Sequence, residues 1–371
     1  MLARLLRGHR GIAVSGTHGK TTTTAMTHAV LRSCGIDASL VLGGIDAASG
    51  TNAYNGTSSW FVTEADESDG SFALLEPSIA IVTNVENDHL TSDDELPALV
   101  RAFAEFLGKL PEDGLAVVGI DNPLSASLTL HDLKSRVVTF GLDPRARVRA
   151  ERLGFRDFGS TFEVYAGDRR LGTAELRVPG AMNVQNALAA IAVGNELGLP
   201  FNAIAAALRE FRGVRRRFDV LVSNQRATLV DDYAHHPTAV GATIAAARQY
   251  HRGMLVVAFQ PHRYTRTAFL AREFAQALRV ADRTYLTPVY AASEPAIPGV
   301  SERSIGEALA SIGGRVLYVA RLEELESRLL AEIPNGAMVL MLGAGNITEV
   351  AARLASRLRV ADEPAAARAR A

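Results

Sequence analysis

Short, uniformly apolar segments alternate along the chain with longer segments in which apolar residues recur at helical spacing. This alternation is typical of a parallel sheet covered by helices. In the first half it predicts helices at residues 20–34 and 94–110, and strands at residues 11–16, 60–64, 79–85 and 114–120.

The stretch at residues 136–179 departs from this pattern. Its segments 161–166 and 173–178 alternate apolar and polar residues, which indicates strands with one exposed face. We expect a short antiparallel ribbon added to the parallel sheet. Helical spacing then returns at residues 183–197 and 202–211.

A second domain is predicted beyond an arginine-rich turn that ends at Arg217. The sequence therefore predicts an α/β chain of two domains, residues 1–216 and 217–371, of which the second is smaller and doubly wound. The segment after Val360 has no packable face and is expected to fray. Strands of the second domain are expected at residues 227–232, 254–260, 283–288, 315–320 and 337–342.

The composition excludes several classes of protein. Of the 371 residues, 48% are hydrophobic and 21% are charged, which places the chain among globular proteins. No apolar segment reaches the roughly 18 residues of a membrane-spanning helix, so we expect a cytoplasmic protein without membrane insertion. The single cysteine, Cys34, excludes an internal disulfide. Because 39 basic residues nearly balance 40 acidic ones, nucleic acid is not an expected partner.

The glycine-rich segment after the first predicted strand carries the clearest chemical signal. A strand, this segment and a helix follow one another, so backbone N–H groups can converge on phosphate oxygens at the helix N-terminus. Lys20 is one of only three lysines in the chain, which favours a chemical role for its ammonium group. The spacing differs from the standard P-loop, since Val14 stands where that pattern has its first glycine. The segment comprises Gly16, Thr17, His18, Gly19, Lys20, Thr21 and Thr22.

Acidic residues and a histidine follow the next two predicted strands. Glu64 ends one strand and opens the segment EADESDGSF, and the other strand leads into TNVENDHL, with Glu86, Asp88 and His89. Because the carboxyl ends of parallel strands share one sheet edge, these side chains are expected near the phosphate loop. They suit divalent cations that bridge phosphates, with a solvated acidic loop as the alternative.

Basic and polar residues also gather at strand ends of the second predicted domain. An arginine of the segment RGVRRRF could contact a transferring phosphoryl group. When the segment is considered alone, an exposed basic linker is the better explanation. Arginines after the following strands suit a carboxylate or a phosphate, and surface salt bridges are the alternative. The candidates here are Arg217, Asp232, His235, His262, Arg263 and Arg266.

Taken together, these segments resemble the Mur ligases, and within that family the branch that joins L-alanine to UDP-N-acetylmuramate. The resemblance implies a central ATPase domain and a C-terminal Rossmann-like domain. It also implies that ATP and Mg²⁺ activate the sugar acid as an acyl phosphate, which the amine of L-alanine then attacks. The matching segments are GTHGKTTT, EADESDGSF, TNVENDHL, NVQNALAA, RRRFD, DDYAHHPT and FQPHRYTRT.

The same resemblance implies a role for each candidate residue. The loop at residues 16–22 would bind the ATP phosphates, and Asn183 and Asn186 would approach the adenine. Mg²⁺ would be held by Thr21, Glu64 and His89. Catalytic roles would fall to Lys20, Arg217 and His235. The C-terminal side would bind ATP through Asp232 and the substrate through His262, Arg263 and Arg266.

The sequence departs from the family pattern in two places. Met182 stands where the family usually has a histidine before Asn183, so an imidazole contact to the nucleotide is replaced by a softer apolar one. The family also has an N-terminal domain of about a hundred residues that binds UDP, and no part of this sequence resembles it. We therefore expect the chain to bind ATP·Mg²⁺ but to ligate poorly alone, and a separate UDP-binding domain is a partner to test.

Two alternatives to this function stay open. A muropeptide ligase would join a preformed peptide to the same sugar acid, and the double histidine after DDY fits both activities. A non-catalytic ATP-binding protein would keep the nucleotide site without turnover. Family members that use a carbamylated lysine after the DH motif are disfavoured, because no lysine follows His89 before Lys109.

Overall fold

Two sheets organise the chain, one in the unit Met1–Arg215 and the other in the unit Arg216–Ala371. The computed structural model describes residues 2–67, 70–87 and 95–361. The expected fraying of the C-terminal tail therefore lies outside the described residues, as do Asp88 and His89.

The first unit alternates strands and helices. Its strands are β1 (Arg10–Ser15), β2 (Ser39–Val41), β3 (Ala53–Tyr54), β4 (Trp60–Glu64), β5 (Ile79–Val82), β6 (Leu115–Gly119), β7 (Arg136–Gly141), β8 (Val148–Arg156), β9 (Gly159–Ala166) and β10 (Arg169–Leu176). Its helices are α1 (Leu2–Leu6), α2 (Lys20–Ser33), α3 (Leu96–Gly108), α4 (Pro123–Ser127), α5 (Ala181–Glu196) and α6 (Phe201–Glu210).

Among the described residues these strands form one ten-stranded sheet, in the order β10-β9-β8-β7-β6-β5-β1-β4-β2-β3. Neighbours from β8 through β2 pair in parallel, whereas β8, β9 and β10 pair antiparallel. The predicted antiparallel ribbon is confirmed, but it begins at Val148, because β7 pairs in parallel with β6. The sequence pattern did not predict the short strands β2 and β3.

Helices cover both faces of this sheet. In β1, Ile12 and Val14 belong to one apolar cluster and Ala13 to another, as the two-residue period of a strand requires. The first cluster takes in α2, α5 and α6, and the second takes in α3. Because β1 lies between β4 and β5, the loop that follows it is bordered by the ends of two parallel strands.

The second unit repeats the arrangement on a smaller scale. Its strands are β11 (Asp219–Ser223), β12 (Ala227–Asp232), β13 (Leu255–Phe259), β14 (Arg283–Leu286), β15 (Val316–Tyr318) and β16 (Ala337–Leu342). Its helices are α7 (Pro237–Tyr250), α8 (Tyr264–Phe269), α9 (Ala271–Leu278), α10 (Glu302–Ser311), α11 (Glu324–Glu332) and α12 (Ile347–Ala361).

In the described part of this unit the strand order is β11-β12-β16-β13-β14-β15, and all pairs except β11–β12 are parallel. Val256 and Ala258 of β13 belong to the cluster with α11 and α12, whereas Phe259 contacts Phe274 of α9. The predicted smaller, doubly wound domain is confirmed, with the antiparallel edge strand β11 as an addition. Every helix in the described residues is too short or too polar to cross a lipid bilayer.

Helix α2 contains a buried histidine that links the fold to pH. His28 lies with its Nε2 3.0 Å from the carbonyl oxygen of Ala38, and burial lowers its pKa from the ordinary 6.5. Below that value the unfolded chain takes up a proton that the folded chain resists, so stability is lost as the pH falls.

We expect His28→Gln, which can still donate to Ala38, to remove this dependence. Between pH 7.5 and 5.5 the wild type should lose stability relative to the variant, by up to about 1.4 kcal/mol, because the unfolded imidazole takes up its proton over about one pH unit of this range. Urea unfolding at both pH values measures the difference, with the exposed His131→Gln as control. Parallel behaviour of wild type and His28→Gln would contradict the assignment.

Candidate functional site

The loop between β1 and α2 has a backbone that only glycine accommodates at two points. Gly16 and Gly19 have φ values of 124° and 82°. A Cβ atom at Gly16 would lie 2.2 Å from Thr83 Oγ1, and one at Gly19 would lie 2.4 Å from Asn186 Oδ1. Neighbouring side chains therefore pack directly on the loop backbone, which fixes its path into the helix.

The segment after β5 clamps the same loop. Asn84 accepts from the backbone N–H of His18 at 2.8 Å and donates to the carbonyl of His18 at 3.0 Å, and Thr83 donates to that carbonyl at 2.7 Å. The N–H of Glu86 donates to the Thr17 hydroxyl at 2.8 Å, and the Thr17 N–H donates to the carbonyl of Asn84. The predicted proximity of this segment to the loop is thus seen at Glu86, whereas sequence reasoning missed Thr83 and Asn84.

Lys20, the first residue of α2, contacts two acidic residues that follow β4. Its Nζ lies 2.7 Å from Glu67 Oε2, 3.4 Å from the carbonyl of Thr17 and 3.7 Å from Asp66 Oδ1. The side chains of Lys20 and Glu67 are only 12% and 4% exposed. Burial raises the pKa of Glu67, while the nearby Lys20 ammonium opposes that shift. Glu67 lies in the acidic segment that the sequence analysis singled out, but it was not among the candidates.

The two described residues predicted to hold a metal border one glycine turn. The Gly43 N–H donates to Glu64 Oε2 at 3.0 Å, and a Cβ at Gly44 would lie 3.1 Å from the methyl group of the buried Thr21. Hydroxyl and carboxylate oxygens are the ligands that Mg²⁺ prefers, so this donor set fits the ion. The third predicted ligand, His89, lies outside the described residues.

Asn183 and Asn186 are buried between helices α5 and α2. Asn183 donates to the Pro179 carbonyl at 2.7 Å, Asn186 donates to Asn183 Oδ1 at 3.1 Å, and the Thr23 hydroxyl donates to Asn186 Oδ1 at 3.1 Å. This chain of hydrogen bonds ties α5 to the helix that follows the loop. A contact with adenine stays a prediction for both asparagines.

In the second unit, Asp232 organises the turn that carries Arg217. Its carboxylate accepts from the N–H groups of Phe218 and Ala234, both at 2.8 Å, and from the Thr243 hydroxyl at 3.2 Å. Burial raises the pKa of Asp232. The Arg217 guanidinium lies 5.0 Å from the ring centre of Tyr233, a cation–π contact. Nucleotide contacts of Asp232 and Arg217 remain predictions.

The structure brings His235, His262 and Arg266 together. The two imidazole rings lie 5.5 Å apart, and Arg266 Nη1 lies 3.3 Å from His262 Nδ1. Tyr290, which the sequence analysis missed, stacks on His262 at 5.6 Å and 14°. Tyr290 follows β14 by a few residues, so its position after a strand end was the signal available. Arg263 is 44% exposed and lies 4.0 Å from Glu294.

Hydrogen bonds give the two histidines opposite tautomers when neutral. His235 Nδ1 lies 2.9 Å from the carbonyl oxygen of Tyr233, which can only accept, so Nδ1 carries the proton and Nε2 is the basic nitrogen. His262 Nδ1 faces an arginine, which can only donate, so its proton lies on Nε2. One ring thus offers an acceptor at Nε2 and the other a donor.

Both units of the chain match models of one protein family. Residues 14–194 match the Mur ligase middle domain, and residues 216–345 match the family model described as Mur ligase, glutamate ligase domain. The chain belongs to the Mur ligase family.

Curated relatives show which branch of the family the chain is similar to. The UDP-N-acetylmuramate–L-alanine ligase of Desulforamulus reducens is 45% identical over 96% of this chain and 78% of the relative. The protein of the same name from Myxococcus xanthus is 44% identical over 97% of this chain and 76% of the relative. The crystal structure of the UDP-N-acetylmuramate-alanine ligase of Thermotoga maritima superposes with a TM-score of 0.81 at 31% identity, covering 96% and 77% of the two chains.

The two ends of α2 offer a matched test of the loop geometry. Gly35 has φ 85°, close to that of Gly19, but a Cβ there would meet nothing within 4 Å. Gly35→Ala should therefore lower the free energy of unfolding by only about 1 kcal/mol, which is the strain of an alanine in the left-handed region. Gly19→Ala should lose about 2–3 kcal/mol, because it also displaces Asn186. Urea unfolding measures both, and equal losses would show that the packing on Gly19 is unimportant.

Proposed function

We propose that the chain catalyses ATP-dependent formation of the amide bond between the carboxylate of UDP-N-acetylmuramate and the amine of L-alanine. The observation that carries this proposal is the loop at residues 16–22. A nearly buried lysine begins the helix there, after two positions that only glycine can occupy. Such a helix start presents N–H groups that have no acceptor within the helix and suits an anionic phosphate. The names of the curated relatives supply the substrates.

The proposed reaction has two steps. The sugar-acid carboxylate oxygen attacks the γ-phosphorus of ATP, the bond to ADP breaks, and an acyl phosphate forms. The L-alanine nitrogen then attacks the acyl carbon, phosphate leaves with its oxygen, and a proton leaves the nitrogen. Lys20 offsets charge on the transferring phosphoryl group in the first step, and the family resemblance assigns Arg217 to the same group.

We assign Mg²⁺ to Thr21, Glu64 and His89. When bound, the ion would neutralise charge on the phosphate oxygens of ATP. The buried Thr21 hydroxyl and the Glu64 carboxylate, both beside the turn at Gly43 and Gly44, support this assignment.

The second unit is proposed to bind L-alanine. Arg263 and Arg266 would hold its carboxylate, and His262 would donate to it from Nε2. His235 would take the proton from the amine, because its Nδ1 is committed to the Tyr233 carbonyl and its Nε2 is the basic nitrogen. The predicted first domain, residues 1–216, would thus bind the ATP phosphates, and the predicted second domain, residues 217–371, would bind the amino acid and contribute Arg217 and Asp232 to ATP.

A ligation assay tests the proposal. Phosphate release that requires both UDP-N-acetylmuramate and L-alanine supports it. Release that requires a preformed peptide instead of L-alanine would indicate a muropeptide ligase, and ATP binding without turnover would indicate a non-catalytic protein. Each assay is run with the chain alone and with an added family N-terminal domain, since UDP contacts position the carboxylate in the implied mechanism.

We expect Lys20→Ala to lower kcat by about 10²–10³-fold, since it removes a charge that matters most in the transition state. Lys134 is exposed, so Lys134→Ala is the matched control and should keep the wild-type rate. Steady-state phosphate release measures both. A Lys20→Ala enzyme with near-normal turnover would disprove the assignment of the loop.

Glu64→Gln should weaken metal binding rather than the chemical step. Its activity should recover partly in excess Mg²⁺ or Mn²⁺, whereas that of Lys20→Ala should not. Metal titrations of the ligation rate measure this, with the exposed Glu76→Gln as control. Identical apparent metal affinities of the wild type and Glu64→Gln would exclude Glu64 as a ligand.

A further inference from the structure

The pair formed by Lys20 and Glu67 differs from ordinary surface ion pairs of this chain. The two other lysines, Lys109 and Lys134, are exposed, whereas both members of this pair are almost fully removed from water. A buried carboxylate loses its hydration, so it stays ionised only where a cation and hydrogen bonds replace the water. The 2.7 Å contact between Lys20 Nζ and Glu67 Oε2 supplies both.

The backbone holds Glu67 in place independently of any ligand. The N–H of Ala65 donates to the Val14 carbonyl, which extends the pairing of β4 with β1 beyond the strand end. Ala65 and Phe72, on either side of Glu67 in sequence, are buried in the same apolar cluster. The chain is thus tied, two residues before Glu67, to β1, the strand that leads directly into the loop.

We propose that Glu67 is a positioning residue that holds the Lys20 ammonium group at the phosphate loop. A lysine side chain has about 2 kcal/mol of rotamer entropy, which would otherwise be lost when the ammonium group meets the charge that develops in the transition state. Two donors of the ammonium group face Glu67 and the carbonyl of Thr17, so its third donor is fixed in direction. This inference rests on the proposed phosphate-binding role of Lys20.

Nearby acids do not share this role. Asp66 lies 3.7 Å from Lys20 Nζ and its side chain is 57% exposed, so water screens its charge and its attraction to Lys20 is weaker than that of Glu67. Glu64 accepts from Gly43 and is assigned to the metal. If Glu67 affects catalysis only through Lys20, its removal should lower kcat only while Lys20 is present.

A stability cycle tests the pair without any catalytic assay. Lys20→Ala leaves the Glu67 carboxylate buried without its cation, so its melting temperature should fall below that of the wild type. Adding Glu67→Gln to this variant should recover at least half of the loss, because the neutral amide tolerates burial better. If the double variant is no more stable than Lys20→Ala, the proposed pairing is overturned, whether or not the chain proves to be a ligase.

A kinetic cycle separates positioning from a structural role. Glu67→Gln should lower kcat at least tenfold while changing KM for ATP less than threefold, and Glu67→Asp should recover part of the rate. In the Lys20→Ala background, the same change should alter kcat less than twofold. Asp66→Asn, as the matched exposed acid, should lower kcat at most threefold.

Three kinetic outcomes would overturn the inference. These are a wild-type kcat in Glu67→Gln, an equal loss in the Lys20→Ala background, and rescue of Glu67→Gln by excess Mn²⁺, which would make Glu67 a metal ligand. If Lys20→Ala itself keeps full activity, the proposed function of the loop fails instead, and the stability cycle still reports on the pair.

Discussion

The grip of the β5 end on the loop after β1 is the interaction on which the first unit's site depends. Asn84 pairs with both the N–H and the carbonyl of His18, much as a neighbouring strand would. The parallel pairing of β1 and β5 ends at Ser15 and Val82, and these side-chain bonds continue it where regular backbone pairing stops. A glycine-rich loop would otherwise be the most mobile part of the sheet edge.

Because β1 lies between β4 and β5, the same arrangement brings the candidate side chains of three strand ends to one edge of the sheet. Lys20 follows β1 at the start of α2. Glu64 and Glu67 lie at and after the end of β4, and the segment from Thr83 to Glu86 follows β5. Polar side chains also hold the loop itself. Asn84 binds the loop backbone and Asn186 packs on Gly19, so the path of the loop is fixed within the fold. Such preorganisation is what electrostatic catalysis requires.

The sequence alone predicts the part of this arrangement that follows from topology. A strand, a glycine-rich loop and a helix have recognisable patterns, and parallel strands place their carboxyl ends at one edge, so residues 16–22 and Glu64 could be located. Glu67 could not be distinguished from its acidic neighbours, because which carboxylate turns inward depends on how the chain leaves β4. Strands as short as β2 and β3 have too few residues to show a two-residue period. The side chain of Asn84 binds the backbone of His18, and no spacing in the sequence reveals such a contact.

The second unit shows how a single neighbour can decide the chemistry of a side chain. His235 and His262 are the same residue type, lie 5.5 Å apart and are both half-buried. The carbonyl of Tyr233 fixes the proton of one ring on Nδ1, whereas Arg266 requires Nδ1 of the other ring to be the acceptor. An acceptor nitrogen and a donor nitrogen therefore lie in adjacent rings without any difference in residue type, and this polarity would suit the amine and the carboxylate of the proposed amino-acid substrate.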